Sequence, residues 1–420
     1  MVQSVLGSLL LGYRPLWNQA RRLAAVQLYV QSDGAAVVDA PHLLRTLQEL
    51  WSASSPPVLL SPQTPQLLTD LLAQAPRGSP WIEVRSEWLE EPSMVAQVQA
   101  AHQRGLKLVW RGELHHLPEP AVAGCFDNSL LTLSAADAMA ALKTTTGMQR
   151  AGGAAATAAT HQAHAHTQPS PVLAGQMYEN VASRALMEHC LDRHKALALA
   201  GWPAEDVLYE LRHQPPQPGH DTVLKLMKAI DAEQSLEAFE QILGEDPLLA
   251  YRFMVYTNSA ALGLRTGVDS LRRGLVMMGY GSLKRWLSDQ LPHASTDPNL
   301  QPIRESMVLR ARLTERLLDA GVENDLRREI YLCGLLSQMD DLLGEPLGAI
   351  LRRLPLSERI YDATVLHTGP YAASLEMACA LETDNGAAIR QLCETHEMDL
   401  EEVNRGLLRV LADLDVKRGG

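Results

Sequence analysis

Short apolar runs alternate with helical stretches through the first half of this 420-residue chain. The apolar runs, which are typical of buried strands, lie at residues 23–30, 58–60, 81–84, 106–110 and 129–133. Helices are predicted between them at residues 40–51, 65–75 and 92–104, and a further strand, loop and helix over residues 178–190. Because strands that alternate with helices are joined by crossover connections, this half is predicted to contain parallel strands.

A different pattern follows at residues 245–287, which predict three short helices with defined ends. Asp246 is an expected N-cap with Pro247 at the first helical position, and Ser270 opens the second helix. Gly279 lies at the turn between the second and third helices. Apolar residues at helical spacing mark the buried faces: Leu249, Phe253, Leu271, Leu275, Met278, Leu283, Trp286 and Leu287.

Composition narrows the class of protein. Hydrophobic residues make up 46% of the chain and charged residues 20%, as in ordinary globular proteins, and no apolar run has the length or flanks of a signal peptide or membrane anchor. A net charge of −12 argues against partners among nucleic acids and anionic membranes. The odd number of cysteines and the lack of a C-x-x-C motif favour reduced thiols. We therefore expect a cytoplasmic protein.

Residues 144–172 are small, polar and repetitive. Such a segment cannot bury enough apolar surface to offset its ordering entropy, so we predict a disordered low-complexity insertion. His161, His164 and His166 could in principle hold a metal, but a spacer that happens to contain histidines is the better explanation.

Residues 246–279 carry a family resemblance. The pattern D-P-L-x-A-x-R-x-x-x-x-x-N-S-A, followed by S-L-R-x-x-L-x-x-(L/M)-G, closely resembles the HDOD domain, a helical signalling module of bacteria. HDOD domains resemble HD-type phosphohydrolases, in which a His-Asp pair holds a metal that activates water. Here Ser337 and Gln338 occupy those positions, and the nearby Asp340 and Asp341 are expected to be solvated acids. The resemblance therefore predicts an HDOD domain with no metal and no hydrolase activity.

Shorter matches at residues 13–29, 101–110 and 178–183 resemble the EAL domain, an eight-stranded barrel that hydrolyses cyclic di-GMP and precedes HDOD in a known class of EAL–HDOD proteins. Such barrels place acidic metal ligands at the C-terminal ends of their strands. By this resemblance, Gln27 replaces the glutamate of the E-x-L motif. Trp110 and Arg111 replace the paired aspartates. Only Glu83 and Glu179 survive, and Arg111 is expected to neutralise one of them, so we predict neither a metal nor another cofactor.

The predicted architecture is multidomain, α/β followed by all-α. Residues 1–207 are expected to form a degenerate EAL-like barrel of the TIM type. Few residues remain once the insertion is set aside, so one or two strands or helices could be missing, and the barrel is expected to be truncated or distorted. Residues 208–420 are expected to form the HDOD helical bundle with a C-terminal helical extension.

The predicted function is a non-catalytic signal-transduction adaptor in a bacterial cytoplasm, with other signalling proteins or a second copy as partners and with coupling between its domains. The alternative is a sensor that binds cyclic di-GMP or another nucleotide at the barrel mouth without cleaving it. In that alternative Trp110 and Arg111 would stack on and pair with the ligand, beside Glu83 and Glu179. A pocket there would favour the sensor, and a mouth plugged by Trp110 would favour the adaptor. An enzyme with an unrecognised site is the remaining alternative, and cyclic di-GMP binding is not expected.

Overall fold

The computed structural model describes residues 5–34, 38–152, 169–262, 267–318 and 323–414. These divide into two compact units. The barrel unit contains Tyr13–Ser32 and Val37–Asp206, and the helical unit contains Met1–Gly12, Asp33–Ala36 and Val207–Leu414. Of the described residues, 5–12 thus belong to the helical unit although they precede the barrel in sequence.

The barrel unit is built on a closed sheet of eight strands in sequential order. The strands are β1 (Leu9–Trp17), β2 (Leu23–Ser32), β3 (Val58–Pro62), β4 (Trp81–Arg85), β5 (Leu108–Glu113), β6 (Asn128–Thr132), β7 (Met177–Glu179) and β8 (Ala198–Ala200). From β2 to β8 each strand is parallel to the next, whereas β1 is antiparallel to β8. Eight buried side chains from seven of these strands form one apolar cluster: Leu16, Ala25, Leu59, Val109, Leu130, Met177, Ala198 and Ala200.

The helices of the barrel unit connect successive strands. They are α1 (Ala40–Leu50), α2 (Pro65–Gln74), α3 (Pro92–Gln103), α4 (Pro120–Ala123), α5 (Ala135–Gly152) and α6 (Arg184–Glu188), with a π-helical turn at His189–Arg193. Helix α7 (Ala204–Leu211) follows β8 and continues into the helical unit. Within the described residues, every predicted strand and helix of this half is confirmed to within three residues at either end.

Two predictions about the barrel are wrong. A truncated barrel was expected, but the sheet closes with eight strands because β1 and β8, which the sequence did not reveal, complete it. The disordered insertion was predicted to begin at residue 144, but α5 continues to Gly152. The rest of that insertion, including the three histidines, lies largely outside the described residues.

The helical unit contains twelve further helices among its described residues. They are α8 (His220–Asp231), α9 (Leu236–Gly244), α10 (Pro247–Thr257), α11 (Leu271–Gln290), α12 (Gln301–Leu317), α13 (Asn324–Leu336), α14 (Met339–Leu343), α15 (Leu347–Leu351), α16 (Glu358–Tyr361), α17 (Ala372–Leu381), α18 (Gly386–Thr395) and α19 (Leu400–Ala412). None of the described helices of the chain combines the length and hydropathy that a membrane span requires.

The predicted helix ends in this unit are confirmed. The Asp246 carboxylate accepts hydrogen bonds from the first amides of α10, and the Ser270 hydroxyl caps α11. At Gly279 the backbone leaves helical geometry, with φ 70° and ψ 163°, so α11 consists of two helices joined at a kink. The eight predicted apolar positions of α10 and α11 are all buried.

The first residues of the chain pack inside the helical unit. Val5, Leu6, Leu9, Leu10 and Leu11 are buried. The side-chain amide of Asn404 on α19, itself fully buried, donates hydrogen bonds to the carbonyl oxygens of Leu6 and Leu9, both at 2.7 Å.

Candidate functional site

Three charged side chains meet inside the barrel near the C-terminal ends of its parallel strands. Nη1 of Arg111 on β5 lies 3.0 Å from Oε1 of Glu83 on β4. Its Nε and Nη2 lie 2.9 Å from Oε1 and Oε2 of Glu179 on β7. We call Glu83, Arg111 and Glu179 the ion-pair cluster. The structure thus brings together three of the four predicted site residues, and Arg111 pairs with both carboxylates rather than with one.

The carboxylate oxygens of the cluster are fully engaged. Oε2 of Glu83, which Arg111 does not contact, accepts a hydrogen bond from Nε2 of Gln27 at 2.7 Å. The hydroxyl of Thr132 donates to Oε1 of Glu179 at 2.9 Å. Each of the four carboxylate oxygens therefore accepts at least one hydrogen bond, and the two side chains are 0% and 3% exposed. Buried polar groups require such partners, because an unpaired buried oxygen is costly.

Two further arginines border the cluster. Nη1 of Arg14 on β1 lies 3.5 Å from Oε2 of Glu179, and Nε of Arg85 on β4 lies 3.7 Å from Oε1 of Glu83. Their side chains are 25% and 22% exposed, so they are more accessible than the carboxylates that they face. Nη1 of Arg85 also lies 4.0 Å from Oε1 of Glu87, so the three arginines and their three acidic partners balance in formal charge.

The electrostatic effect on Arg111 follows from these contacts. Burial by itself lowers the pKa of this guanidinium, but attraction to Glu83 and Glu179, together with their hydrogen bonds, outweighs burial. The net result is a pKa raised above the usual arginine value. The cluster therefore holds a permanent cation where the family resemblance implies metal ligands.

Trp110 lies outside this arrangement. Successive side chains of a strand point to opposite faces, and Arg111 faces the two carboxylates in the barrel interior, so Trp110 faces away from it. Its ring is fully buried and lies against Gly112, where an added Cβ would be 2.6 Å from the indole. Trp110 is thus placed apart from the ion-pair cluster, and nucleotide binding at the barrel mouth stays a prediction. The side chain that occupies the space between the carboxylates is Arg111.

In the helical unit, the two positions that correspond to the HD pair hold no metal-binding arrangement. Ser337 ends α13 and its hydroxyl donates to the carbonyl of Gly334 at 2.8 Å. Gln338 lies between α13 and α14. Of the neighbouring acids, Asp341 is exposed, as expected, and Asp340 is half-buried. Across all described residues, no group of three or more His, Cys, Asp or Glu side chains is arranged to hold a metal ion.

Sequence reasoning missed several partners of the cluster. Arg85 could have been found, because it follows Glu83 by two residues on the same strand and so shares its face. Arg14 and Thr132 gave no such signal, since their proximity to Glu179 depends on how distant strands pair.

Comparisons with known proteins agree with part of this description. Residues 216–344 match the family model of the HDOD domain, so an HDOD domain is present. The chain is 24% identical over 204 residues to the uncharacterized protein YuxH of Bacillus subtilis, covering 46% of this chain and 49% of that protein. It is 21% identical over 192 residues to the cyclic di-GMP phosphodiesterase CdgJ of Vibrio cholerae, covering 46% and 44%. The chain thus spans about half the length of these curated relatives, which support a role in signalling.

A solved structure is also similar in part. The MmoQ response regulator from Methylococcus capsulatus is 17% identical, and the match covers 46% of this chain and 97% of that one. Its TM-score of 0.37 is too low to show a common fold.

Proposed function

From the presence of an HDOD domain at residues 216–344, we propose that this protein is a non-catalytic regulator of bacterial signal transduction that acts through contacts with other proteins. The barrel would then be an EAL-like phosphodiesterase fold whose chemistry has been lost. Its similarity to a cyclic di-GMP phosphodiesterase supports that origin.

The observation that carries this proposal is the position of Arg111. Its guanidinium bonds to three of the four oxygens of Glu83 and Glu179, and Gln27 takes the fourth. A metal-dependent phosphodiesterase needs those lone pairs for its metal ions, which clamp the phosphodiester and activate water. To bind a divalent ion here, the protein would have to displace a guanidinium that makes three hydrogen bonds to the two carboxylates.

The direct test is a hydrolysis assay. The purified full chain is incubated with cyclic di-GMP and either Mg²⁺ or Mn²⁺, and linear product is quantified by chromatography. The phosphodiesterase CdgJ serves as a positive control. We expect no product above background. Turnover that disappears in a Glu83→Gln variant would contradict the proposal, because it would place catalysis in the cluster itself. Turnover that persists in that variant would indicate a contaminating enzyme.

A second candidate function, a sensor that binds an anionic nucleotide, is favoured by the two arginines at the border of the cluster. The side chains of Arg14 and Arg85 are partly exposed, and a guanidinium can form paired hydrogen bonds with a phosphate. Calorimetric titration of cyclic di-GMP, with and without Mg²⁺, separates the two candidates. We expect no binding. Micromolar binding that is lost in the Arg85→Met variant would favour the sensor over the regulator.

A further inference from the structure

The outward face of α11 carries three large apolar side chains. The helix buries Leu271 and Leu275, which lie one turn apart, so the opposite side of the helix points to solvent. On that side Val276, Met277 and Tyr280 are 61%, 53% and 52% exposed. We call these three residues the α11 patch.

The α11 patch has the composition of a binding surface. Outward positions of a surface helix are usually polar, and scattered apolar ones are common, but here three neighbours on one face are apolar. Methionine and tyrosine are enriched in protein interfaces, where rigid aromatic rings act as anchors. The ring of Tyr280 lies edge-on to the buried ring of Phe239, with 5.3 Å between the ring centroids. The patch therefore offers a fixed aromatic anchor beside the adaptable side chain of Met277.

The backbone within the patch is open to close approach. Gly279 and Gly281 flank Tyr280, and a Cβ added at either glycine would meet no atom within 4 Å. The φ of 70° at Gly279 favours glycine, whereas Gly281 lies within the second half of the helix. A partner can therefore come close to this part of α11 without displacing any side chain.

The charges of α11 are all of one sign around the patch. Between Ser270 and Ser288 the sequence contains four basic residues and no acidic one. Two of the four, Arg272 and Lys284, pair with acids of the neighbouring helices α9 and α8. These two charges are therefore used within the helical unit.

The other two, Arg273 and Arg285, lie on the outward face, one before and one after the patch. Arg273 is 48% exposed and pairs with Asp269 at 3.5 Å, a surface pair of the kind that contributes little. Arg285 is exposed and forms no ion pair with any residue that the structure describes, Asp289 one turn later included. The two positions lie about three turns apart, roughly 18 Å along a straight helix. Both guanidinium groups are thus available to carboxylates of a partner.

We propose that the α11 patch, with Arg273 and Arg285 at its two ends, is the docking surface for an acidic amphipathic helix of a partner protein. Apolar residues of the partner, spaced one turn apart, cover the patch, and carboxylates about three turns apart pair with the two arginines. A membrane surface fits less well, because recognition of anionic lipids uses larger clusters of basic residues and the chain has a net charge of −12.

The inference rests on the proposed regulatory role and names the surface and the partner chemistry through which that role would act. Its test does not involve the ion-pair cluster. Turnover in the hydrolysis assay and failure of the test below are therefore separate outcomes.

The test is a selection of binding peptides on the purified full chain. The probe is a displayed library of helical peptides about 18 residues long, with a fixed apolar face and random residues elsewhere. It is enriched on the wild-type protein and counter-selected on the double variant Val276→Ser, Met277→Ser, whose fold is checked by circular dichroism. We expect patch-dependent peptides that carry Asp or Glu about three turns apart. Enrichment of neutral or basic peptides, or of none that distinguishes the two proteins, would overturn the proposal.

The selected peptide then reports on single substitutions by fluorescence anisotropy. Arg285→Glu should weaken its binding about tenfold, and Gly281→Gln, which adds bulk in open space, should weaken it at least as much. Leu366→Ser is the matched control, because Leu366 is 55% exposed elsewhere in the helical unit, and it should leave the affinity unchanged. An unchanged affinity in Arg285→Glu, or an equal loss in Leu366→Ser, would contradict the proposal.

Two further measurements identify other occupants of this face. Self-association in sedimentation velocity that disappears in the Val276→Ser, Met277→Ser variant would assign the face to a second copy of the chain. Cosedimentation with phosphatidylglycerol vesicles that disappears in Arg285→Glu would assign it to a membrane. We expect neither result, and either one would overturn the proposal.

Discussion

Replacement of Arg111 by methionine should destabilise the barrel unit by about 3–5 kcal/mol, because it leaves two buried carboxylates without their main counter-charge. Glu83 and Glu179 are 0% and 3% exposed, so water cannot take over the lost interactions. Three charge-assisted hydrogen bonds of 2.9–3.0 Å disappear. Gln27 and Thr132 still donate to the carboxylates, which places the expected loss within this range rather than above it.

The assay is urea denaturation followed by tryptophan fluorescence. Of the seven tryptophans, only Trp286 lies in the helical unit, so a Trp286→Phe background makes the signal specific for the barrel unit. The control is the triple variant Arg111→Met, Glu83→Gln, Glu179→Gln, which removes all three charges and should recover most of the lost stability. A loss below about 1 kcal/mol for Arg111→Met, the size expected for an exposed pair, would refute the reasoning. So would a triple variant no more stable than the single one.

Three further predictions concern single side chains. Burial first, then the adjacent imidazole and guanidinium groups, lowers the pKa of His189 to about 4 from an ordinary 6.5. The stability that this neutral group contributes is therefore complete above pH 6.5 and is lost as the pH falls towards 4. Denaturation as a function of pH should show a decline of up to about 3 kcal/mol over this range that is smaller in His189→Gln. Gly334→Ala should lower the free energy of unfolding by about 1–3 kcal/mol in thermal melts, since the added Cβ would lie 2.7 Å from Cα of Ala311. Gly281→Ala, where the added Cβ meets open space, should instead raise the free energy of unfolding by about 0.5–1 kcal/mol. Equal effects of the two glycine substitutions would contradict the packing argument. Asp246→Ala should lower the free energy of unfolding by about 3–5 kcal/mol, measured by circular dichroism, because it removes the N-cap of α10 and leaves the buried Arg304 without its carboxylate partner. Asp246→Asn, which keeps the cap, should lower it by less.

The helical unit was the more predictable half, because its signals are local. The Asp246 carboxylate accepts a hydrogen bond from the backbone amide three residues later, and the Ser270 hydroxyl does the same at the start of the next helix. The side-chain amide of Asn258 bonds across the break between them, where it donates to the carbonyls of Met254 and Val268, both at 2.8 Å. A short polar side chain next to a helix end has few alternatives, so sequence alone identifies its role.

Closure of the barrel was less predictable, because it depends on strands with weak signals. Strand β8 has only three residues, and β1 contains Pro15 within a run that looks like an apolar N-terminus. Both are defined by pairing with each other across almost the whole barrel sequence. Such pairing leaves no period or turn residue for sequence reasoning to detect.

The identity of the cluster residues was predictable, but their geometry was not. Glu83, Arg111 and Glu179 could be singled out by the resemblance of short motifs to the EAL family. The side on which Trp110 lies depends on strand register, and a one-residue difference reverses the face of a side chain. Trp110 was therefore assigned to the site together with Arg111, although Arg111 alone of the two faces the carboxylates.

The contacts of Asn404 with the first residues of the chain also have a consequence for biosynthesis. Leu9 and Asn404 are 395 positions apart, so the ribosome releases the first partner roughly 20–80 s before the second at about 5–20 residues per second. Until α19 has been translated, the carbonyl groups of Leu6 and Leu9 lack the Asn404 amide that bonds to them in the folded protein. The native packing of this early segment therefore cannot be complete before α19 has been synthesised.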